Sequence, residues 1–348
     1  MKIGFVIYSL ESGGAERVVS LLANHFSKQF DVSIFTFNQE NSFYRLEKKI
    51  RHIKLNSKPT KKNRLPLISN IIRLKQAINK EQITHLYSFT TTMNIYAILA
   101  NFNSNIKLVI SERVDPINHK LPKIKNFVRR SIYKFAHHLV VQNTGQYQFF
   151  QKLCSPQKIS IIPNPIEKIK IQKVLEPVNI IHVGRLEKQK NQLELIDAFK
   201  QANLECKLFI IGDGSLYNVL EHKIKAEKLE HKIILMGKQK EIYQHLKPNW
   251  IFASTSSYEG FPNALIEAMN AKLVPVHYDC PSNLDQIIEN NQNGYLIPMN
   301  DTAAFAQKLK TLYNNESQRN QMAINARKSV KRLYLEKIAK KWLAVIKQ

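Results

Sequence analysis

A chain of 348 residues with 44% hydrophobic and 23% charged side chains is too long for one ordinary core and too apolar for a disordered segment, which points to two folded domains of about 170 residues each. Its three cysteines, Cys154, Cys206 and Cys280, are scattered and odd in number, against a disulfide framework or thiolate cluster and for a reducing, cytoplasmic setting. No run of residues is apolar enough to span a bilayer, and the net charge of +25 falls mostly in the chain through Lys170 (+18, against +7 after it), so an anionic surface or ligand is expected on that side.

The opening "KIGFVIYSL" is a buried-strand run rather than a cleaved leader, because it is short, meets Glu11 at once and lacks a small-residue cleavage pattern. "SGGAERVVSLLANHF" follows with Val18, Leu21, Leu22, Ala23 and Phe26 at helical spacing. Further strands are expected at "VSIFTF", "THLYSF", "KLVIS" and "HLVVQN", separated by helical stretches such as "LISNIIRLKQAINK". That alternation predicts a parallel sheet covered by helices on both faces. Near Pro163, Pro165 and Pro177 the pattern breaks, and "VNIIHVGRL" starts a second strand, turn and helix. The domains are therefore placed at 1–168 and 169–348, with the terminal helix a candidate to pack back on the first. "KLFIIG", "IILMG", "WIFAST" and "LVPVHY" supply a second doubly wound sheet. Ligands are expected at the carboxyl ends of both sheets, facing across a cleft.

In "VGRLEKQKNQ", Gly184 ends a strand, and Arg185 and Lys190 approach the next helix. Helix N–H groups and the helix dipole, added to two cations, make a phosphate site; the alternative is a solvated loop. "IIGDGS" sets Gly212 and Gly214 at a strand end, but the third glycine of a dinucleotide fingerprint would fall at Tyr217, which disfavours a nicotinamide enzyme. "SYEGFPNALIEAMNA" places Glu259 in a loop and Glu267 about one turn into a helix starting near Asn263. The neighbours Ala264, Leu265, Ala268 and Met269 are core-like, so Glu267 faces either solvent or a ligand. "SGGAER" offers Gly13 and Gly14 for close approach to a ligand or for a simple turn. Glu112 and Arg113, in "SERVDP" after the strand ending at Ile110, either point to the ligand end or form a structural ion pair. There is no GxxxxGKS/T, HExxH, GxSxG or Asp-x-Asp, so ATPase, zincin and hydrolase chemistries drop away and neither a metal nor a cofactor is expected.

In "HKLPKIKNFVRRSIYKF", Leu121, Ile124, Phe127, Val128, Ile132 and Phe135 recur at helical spacing, with Pro122 suited to the first turn. Lys120, Lys123, Lys125, Arg129, Arg130 and Lys134 fill the flanks, and no acid occurs from Ile117 to Ile166. This is the pattern of an interfacial helix on an anionic membrane surface; the alternative is a core helix with a solvated basic face. "KPTKKNRLPLISNIIRLK" adds a second basic, partly apolar segment.

"SGGAER", "PNP", "VGRLEKQKN", "GDGSL" and "EGFPNALIEAMNA", in this order and spacing, resemble the retaining glycosyltransferases of family four, which have the GT-B fold. The resemblance runs over nearly the whole chain, and the last stretch is the family's Glu-x7-Glu signature. It implies that Arg185 and Lys190 bind a donor diphosphate, that Glu267 hydrogen-bonds the ribose hydroxyls, and that Glu259 lies beside the transferred sugar, where a carboxylate stabilises an oxocarbenium-like transition state. Backbone N–H groups of Phe261, Asn263, Ala264 and Leu265 would serve sugar and phosphates, with Gly184 and Gly212 lining the site and Gly13 and Gly14 approaching on domain closure. One departure concerns the acceptor side. Many members carry a histidine after the first-domain strand, where this chain reads Ser111-Glu112-Arg113. With "SFYRLE", the pattern looks most like bacterial enzymes that extend lipid-linked oligosaccharides or surface polysaccharides. The implied activity is retaining transfer of a hexose or N-acetylhexosamine, N-acetylgalactosamine among them, from a UDP-sugar to a lipid-linked glycan at the inner face of the cytoplasmic membrane. The rivals are a nucleic-acid-binding protein and a sugar phosphorylase or epimerase of the same fold. No basic stretch is interleaved with stacking aromatics, so no nucleic acid is expected as a partner.

Overall fold

The computed structural model describes residues 1–55, 66–114, 116, 121–171 and 176–347. They form two compact units, one made of Met1–Glu167 with Leu333–Gln348 and the other of Lys168–Arg332. In the first, strands β1 (Lys2–Ile7), β2 (Asp31–Thr36), β3 (Arg51–Lys54), β4 (His85–Phe89), β5 (Lys107–Ser111), β6 (His138–Val141) and β7 (Ile159–Ile161) alternate with helices α1 (Gly14–Phe26), α2 (Pro66–Lys80), α3 (Thr91–Ala100), α4 (Lys123–Ile132) and α5 (Thr144–Phe150). The sheet order is β3-β2-β1-β4-β5-β6-β7, parallel throughout.

The second unit repeats the plan with β8 (Ile180–Val183), α6 (Gln192–Ala202), β9 (Leu208–Ile211), α7 (Tyr217–Ala226), β10 (Ile233–Leu235), β11 (Ile251–Ser254), α8 (Asn263–Asn270), β12 (Val274–Tyr278), β13 (Tyr295–Ile297), α9 (Thr302–Asn314) and α10 (Glu316–Val330). Its order is β10-β9-β8-β11-β12-β13, also parallel. In each sheet the direction of winding reverses beside the first strand, between β1 and β4 and between β8 and β11. Helices on both faces bury the central strands completely, which is why they read as unbroken apolar runs. Strands β3, β7 and β13 are absent from the sequence expectation. They lie at sheet edges, and β3 and β7 in particular are only partly buried, so they lack the continuous apolar run of the central strands.

The last helix, α11 (Leu335–Lys347), belongs to the first unit. Its buried residues Ile338, Ala339, Trp342, Val345 and Ile346 fall on one helical face. The Trp342 ring stacks on Phe89 at 5.4 Å and meets Tyr87 edge-on at 5.4 Å, and the Tyr87 hydroxyl donates to the Trp342 carbonyl at 3.0 Å. Phe5 and Phe26 extend this aromatic cluster beneath the sheet. Ile166 and Leu333 also lie side by side, since Ile166 N–H donates to Leu333 O and Leu335 N–H to Ile166 O, each at 2.9 Å. Trp342→Ala removes a fully buried indole from this cluster and should destabilise the first unit by about 3–5 kcal/mol. Chemical denaturation followed by circular dichroism checks this, and an unchanged midpoint would mean the helix is not part of that core.

Candidate functional site

The carboxyl ends of the second sheet gather three loops. The β8–α6 loop carries Gly184, Arg185 and Lys190, the loop after β9 carries Gly212, and the loop after β11 carries Glu259. Gly212 has φ of +151°, and a Cβ there would lie 1.8 Å from the Gly184 carbonyl oxygen, so only glycine allows the first two loops to touch. The first and third loops are laced by glutamine and backbone. Ser257 N–H donates to Gln189 O, and the Gln189 side-chain amide donates to Tyr258 O, both at 2.8 Å. The Thr255 hydroxyl donates to Asn191 O at 2.8 Å. That lacing brings Lys190 Nζ to 2.5 Å from Glu259 Oε1. Glu259 is buried, its backbone N–H donates to the Ser282 hydroxyl at 2.5 Å, and Ser256 hydrogen-bonds its carboxylate. Burial pushes the Glu259 carboxyl up, but Lys190 outweighs it and holds the group below the usual carboxylate range. Arg185 is exposed, with a long contact of 3.5 Å to Gln189.

Helix α8 begins at Asn263, with Pro262 rather than Asn263 in the capping position and no side-chain cap. Phe261, Asn263 and Ala264 are half-buried and Leu265 is buried. Glu267 lies a turn into this helix and is buried, which removes the solvent-facing alternative. In the first unit, Gly13 precedes α1 and Gly14 opens it. A Cβ on Gly13 would sit 2.1 Å from Glu16 Oε2, so that carboxylate folds back over the start of the helix. Glu112 is buried and accepts from the Thr91 hydroxyl at 3.0 Å and from the Tyr133 hydroxyl. Burial raises its carboxyl, against the lowering effects of Tyr133 and Arg129. Arg113 points elsewhere: its Nη1 donates to Asn164 Oδ1 at 2.5 Å, and the guanidinium lies over Phe89 and Trp342 at 4.9 and 5.3 Å. The two neighbours therefore serve different surroundings rather than bonding to each other.

Helix α4 departs from the expected picture. Arg129, anticipated on the basic flank, is only 3% exposed, stacked over Phe149 and Phe150 at 5.1 and 5.4 Å and donating to Asn126 at 2.8 Å. Val128 and Ile132 pack on the first unit's core. Lys125 is half-buried and donates to Thr92. What faces solvent is a second apolar set, Ile124 at 81%, Phe127 at 71% and Phe135 at 59% exposure, with Lys123, Arg130 and Lys134 exposed beside it. Lys120 and most of the basic stretch before α2 lie outside the described residues. Among the described residues no helix is long and apolar enough to cross a membrane, and no three His, Cys, Asp or Glu side chains cluster as a metal site.

The family model for glycosyl transferases group 1 matches residues 164–329, and that for glycosyltransferase family 4 matches residues 12–168. A Campylobacter jejuni relative, N-acetylgalactosamine-N,N'-diacetylbacillosaminyl-diphospho-undecaprenol 4-alpha-N-acetylgalactosaminyltransferase, is 30% identical over 97% of both chains. The chain belongs to the family-four glycosyltransferases. A second relative from the same organism, GalNAc-alpha-(1->4)-GalNAc-alpha-(1->3)-diNAcBac-PP-undecaprenol alpha-1,4-N-acetyl-D-galactosaminyltransferase, is 29% identical over 99% of this chain and 98% of its own. Among solved structures, Anabaena Alr3699/HepE in complex with UDP superposes over 100% of both chains with a TM-score of 0.85 at 18% identity. The fold of this glycosyltransferase is GT-B, with two Rossmann-like domains.

Two buried histidines of the glycosyltransferase, His182 and His277, escape a reading by motif. The Ala253 carbonyl accepts from His182 Nδ1 at 2.9 Å, so the ring carries its proton there and Nε2 accepts from the Gln192 amide at 3.3 Å. His277 Nδ1 likewise donates to Tyr278 O at 2.7 Å. Burial lowers both rings, His182 to about 4, so at neutral pH both are uncharged beside the Lys190–Glu259 pair. Unfolded histidine titrates near 6.5, so between that value and about 4 the unfolded chain binds the extra proton and stability must fall as pH falls. From pH 7 to 5 His182 alone should cost about 2 kcal/mol of unfolding free energy. Urea titrations at both pH values, on wild type and His182→Gln, measure this; an equal loss in the variant would assign the slope to other groups.

Proposed function

We propose that this glycosyltransferase moves an N-acetylhexosamine or hexose, with N-acetylgalactosamine the leading choice, from a UDP-sugar to a lipid-linked glycan with retention at the anomeric carbon. The observation that carries the reading is the meeting of Lys190 and Glu259 at the strand ends of the second sheet. It sets a cation suited to a leaving diphosphate against a carboxylate suited to the positive charge that develops on the sugar as its C–O bond breaks. Arg185 is the second cation for the diphosphate, whose departing oxygen takes the bonding electrons. Glu267 accepts from the ribose hydroxyls, and the N–H groups of Phe261, Asn263, Ala264 and Leu265 serve sugar and phosphates, with Gly184 and Gly212 keeping the loops close. Gly13 and Gly14 serve the phosphates, while Glu112 and Arg113 are assigned to the acceptor side, Glu112 by fixing the strand end and Arg113 by anchoring the following segment through Asn164, Phe89 and Trp342. The complex of Anabaena Alr3699/HepE with UDP supports the donor, and the diphospho-undecaprenol acceptors named for both Campylobacter relatives support the acceptor.

Transfer with a panel of UDP-sugars and a membrane lipid extract tests the reading. Arg185→Ala and Lys190→Met should slow turnover roughly 100- to 1,000-fold with the fold intact, and Glu267→Ala should weaken UDP itself. Normal turnover in both cation variants would move the donor site elsewhere.

We also assign the first unit to the cytoplasmic, anionic surface of the membrane. The outward set Ile124, Phe127 and Phe135, with Lys123, Arg130 and Lys134 around it, has the composition of an interfacial surface. Each basic residue near such a surface contributes about 1 kcal/mol. Replacing Ile124 and Phe127 with Ser, or the three basic residues with Gln, should therefore reduce co-sedimentation with anionic vesicles roughly tenfold or more. Binding that is indifferent to lipid charge and to both changes would refute the assignment.

A further inference from the structure

The donor-site cations are each accompanied by an acid of the same site. Lys190 Nζ lies 2.5 Å from Glu259 Oε1, and the Glu187 carboxylate, which accepts from Ser215 N–H and hydroxyl at 3.1 and 2.8 Å, is in the field of Arg185. The two histidines that face the Lys190–Glu259 pair add no charge at neutral pH, being buried with their Nδ1 protons committed to carbonyls. Lys190 is thus a half-buried cation already satisfied by a buried carboxylate, with its aliphatic stem lying over Gly184. A diphosphate brought to this ammonium meets the charge of Glu259 as well, at short range and partly out of water, where like charges repel strongly.

We propose that Glu259 competes with the donor diphosphate for Lys190, so that donor binding exchanges one partner of the lysine for another and turns the Glu259 carboxylate from the ammonium toward the sugar. This rests on the donor-site reading above and adds to it a direction for Glu259: the residue opposes diphosphate binding while it promotes transfer. The exchange keeps Glu259 from standing as an unpaired buried charge except when the sugar is there to meet it. No covalent step is involved.

The distinguishing property is a split between binding and turnover, because a residue that simply helps to hold the donor would lose both together. UDP is titrated calorimetrically into the wild-type protein and into Glu259→Gln, Glu259→Asp, Lys190→Met and Arg185→Ala, with turnover of the accepted UDP-sugar measured in parallel. Glu259→Gln should bind UDP roughly tenfold more tightly, as expected for deleting one charge within a few ångströms of a dianion, while turnover falls more than tenfold. Glu259→Asp keeps the charge but retracts the carboxylate, so it should tighten UDP less and serves as well if the glutamine variant folds poorly. Lys190→Met should weaken UDP. If Glu259→Gln and Glu259→Asp bind UDP no more tightly than wild type while Lys190→Met binds it more weakly, the competition is refuted and the donor site stands. If Lys190→Met and Arg185→Ala both leave UDP affinity unchanged, the donor-site reading fails and the competition with it.

Discussion

All seven strands of the first sheet and all six of the second run in one direction, and everything functional in this chain depends on that constraint. A parallel strand cannot be joined to its neighbour by a tight turn, so each must be followed by a crossover. Every loop that leaves a carboxyl end therefore falls on the same rim of its sheet. Where the winding reverses, beside β8 and β11, the departing loops separate to opposite faces and leave space for a ligand. Because both loops leave the same rim and are hydrogen-bonded to each other, residues as far apart in sequence as Lys190 and Glu259 come within 2.5 Å. The loops are held by two further features: a glycine at 212, because any side chain there would strike the Gly184 carbonyl of the neighbouring loop, and Gln189, whose amide ties the β8–α6 loop to Tyr258 O, while Gln192 braces that same loop through Arg185 O.

The electrostatics of the rim differ from those of the chain as a whole. A net charge of +25 suggests an open cationic site, yet Lys190 at the rim of the second sheet is paired at 2.5 Å with the buried Glu259 carboxylate. Desolvation explains why. A half-buried ammonium without a counter-charge would lose its proton or destabilise the loop, whereas a short pair with a buried glutamate is stable provided that the spare oxygens of the acid are also met. Ser256 and Ser282 engage the carboxylate and backbone of Glu259. The neighbouring imidazoles stay neutral because burial lowers them, with Lys190 adding a smaller effect in the same direction.

Much of this was legible in the sequence, for identifiable reasons. Central strands carry long apolar runs because helices cover both faces, and glycine turns mark where those strands end, so β1, β2, β4, β5, β8, β9 and β11 are readable without coordinates. The Arg185–Lys190 and Glu259–Glu267 spacings also carry chemistry on their face. The edge strands β3, β7 and β13 are not readable, because pairing rather than composition makes them strands. Nor are Gln189, Gln192, His182 and His277. A glutamine between two lysines looks solvated until its partner carbonyl, 69 residues on in the case of Gln189, is in view.

Helix α4 shows the same limit from the other side. Its sequence contains two apolar sets, Val128 and Ile132 on one side and Ile124 and Phe127 on the other, and periodicity cannot say which set meets the core. The answer comes from Arg129, which is drawn inward by two aromatic faces on α5 and by the buried charge of Glu112. Once that guanidinium is fixed, the side of the helix that carries it is fixed too, and Ile124 and Phe127 have only the outside. Glu112 gains in return, because Arg129 lowers what burial raises in its carboxyl. Two residues that look functional in isolation, an acid at a strand end and an arginine in a basic run, are each other's electrostatic support inside the fold. The outward apolar surface of α4 goes with this arrangement: with Arg129, Val128 and Ile132 turned inward, Ile124 and Phe127 face outward.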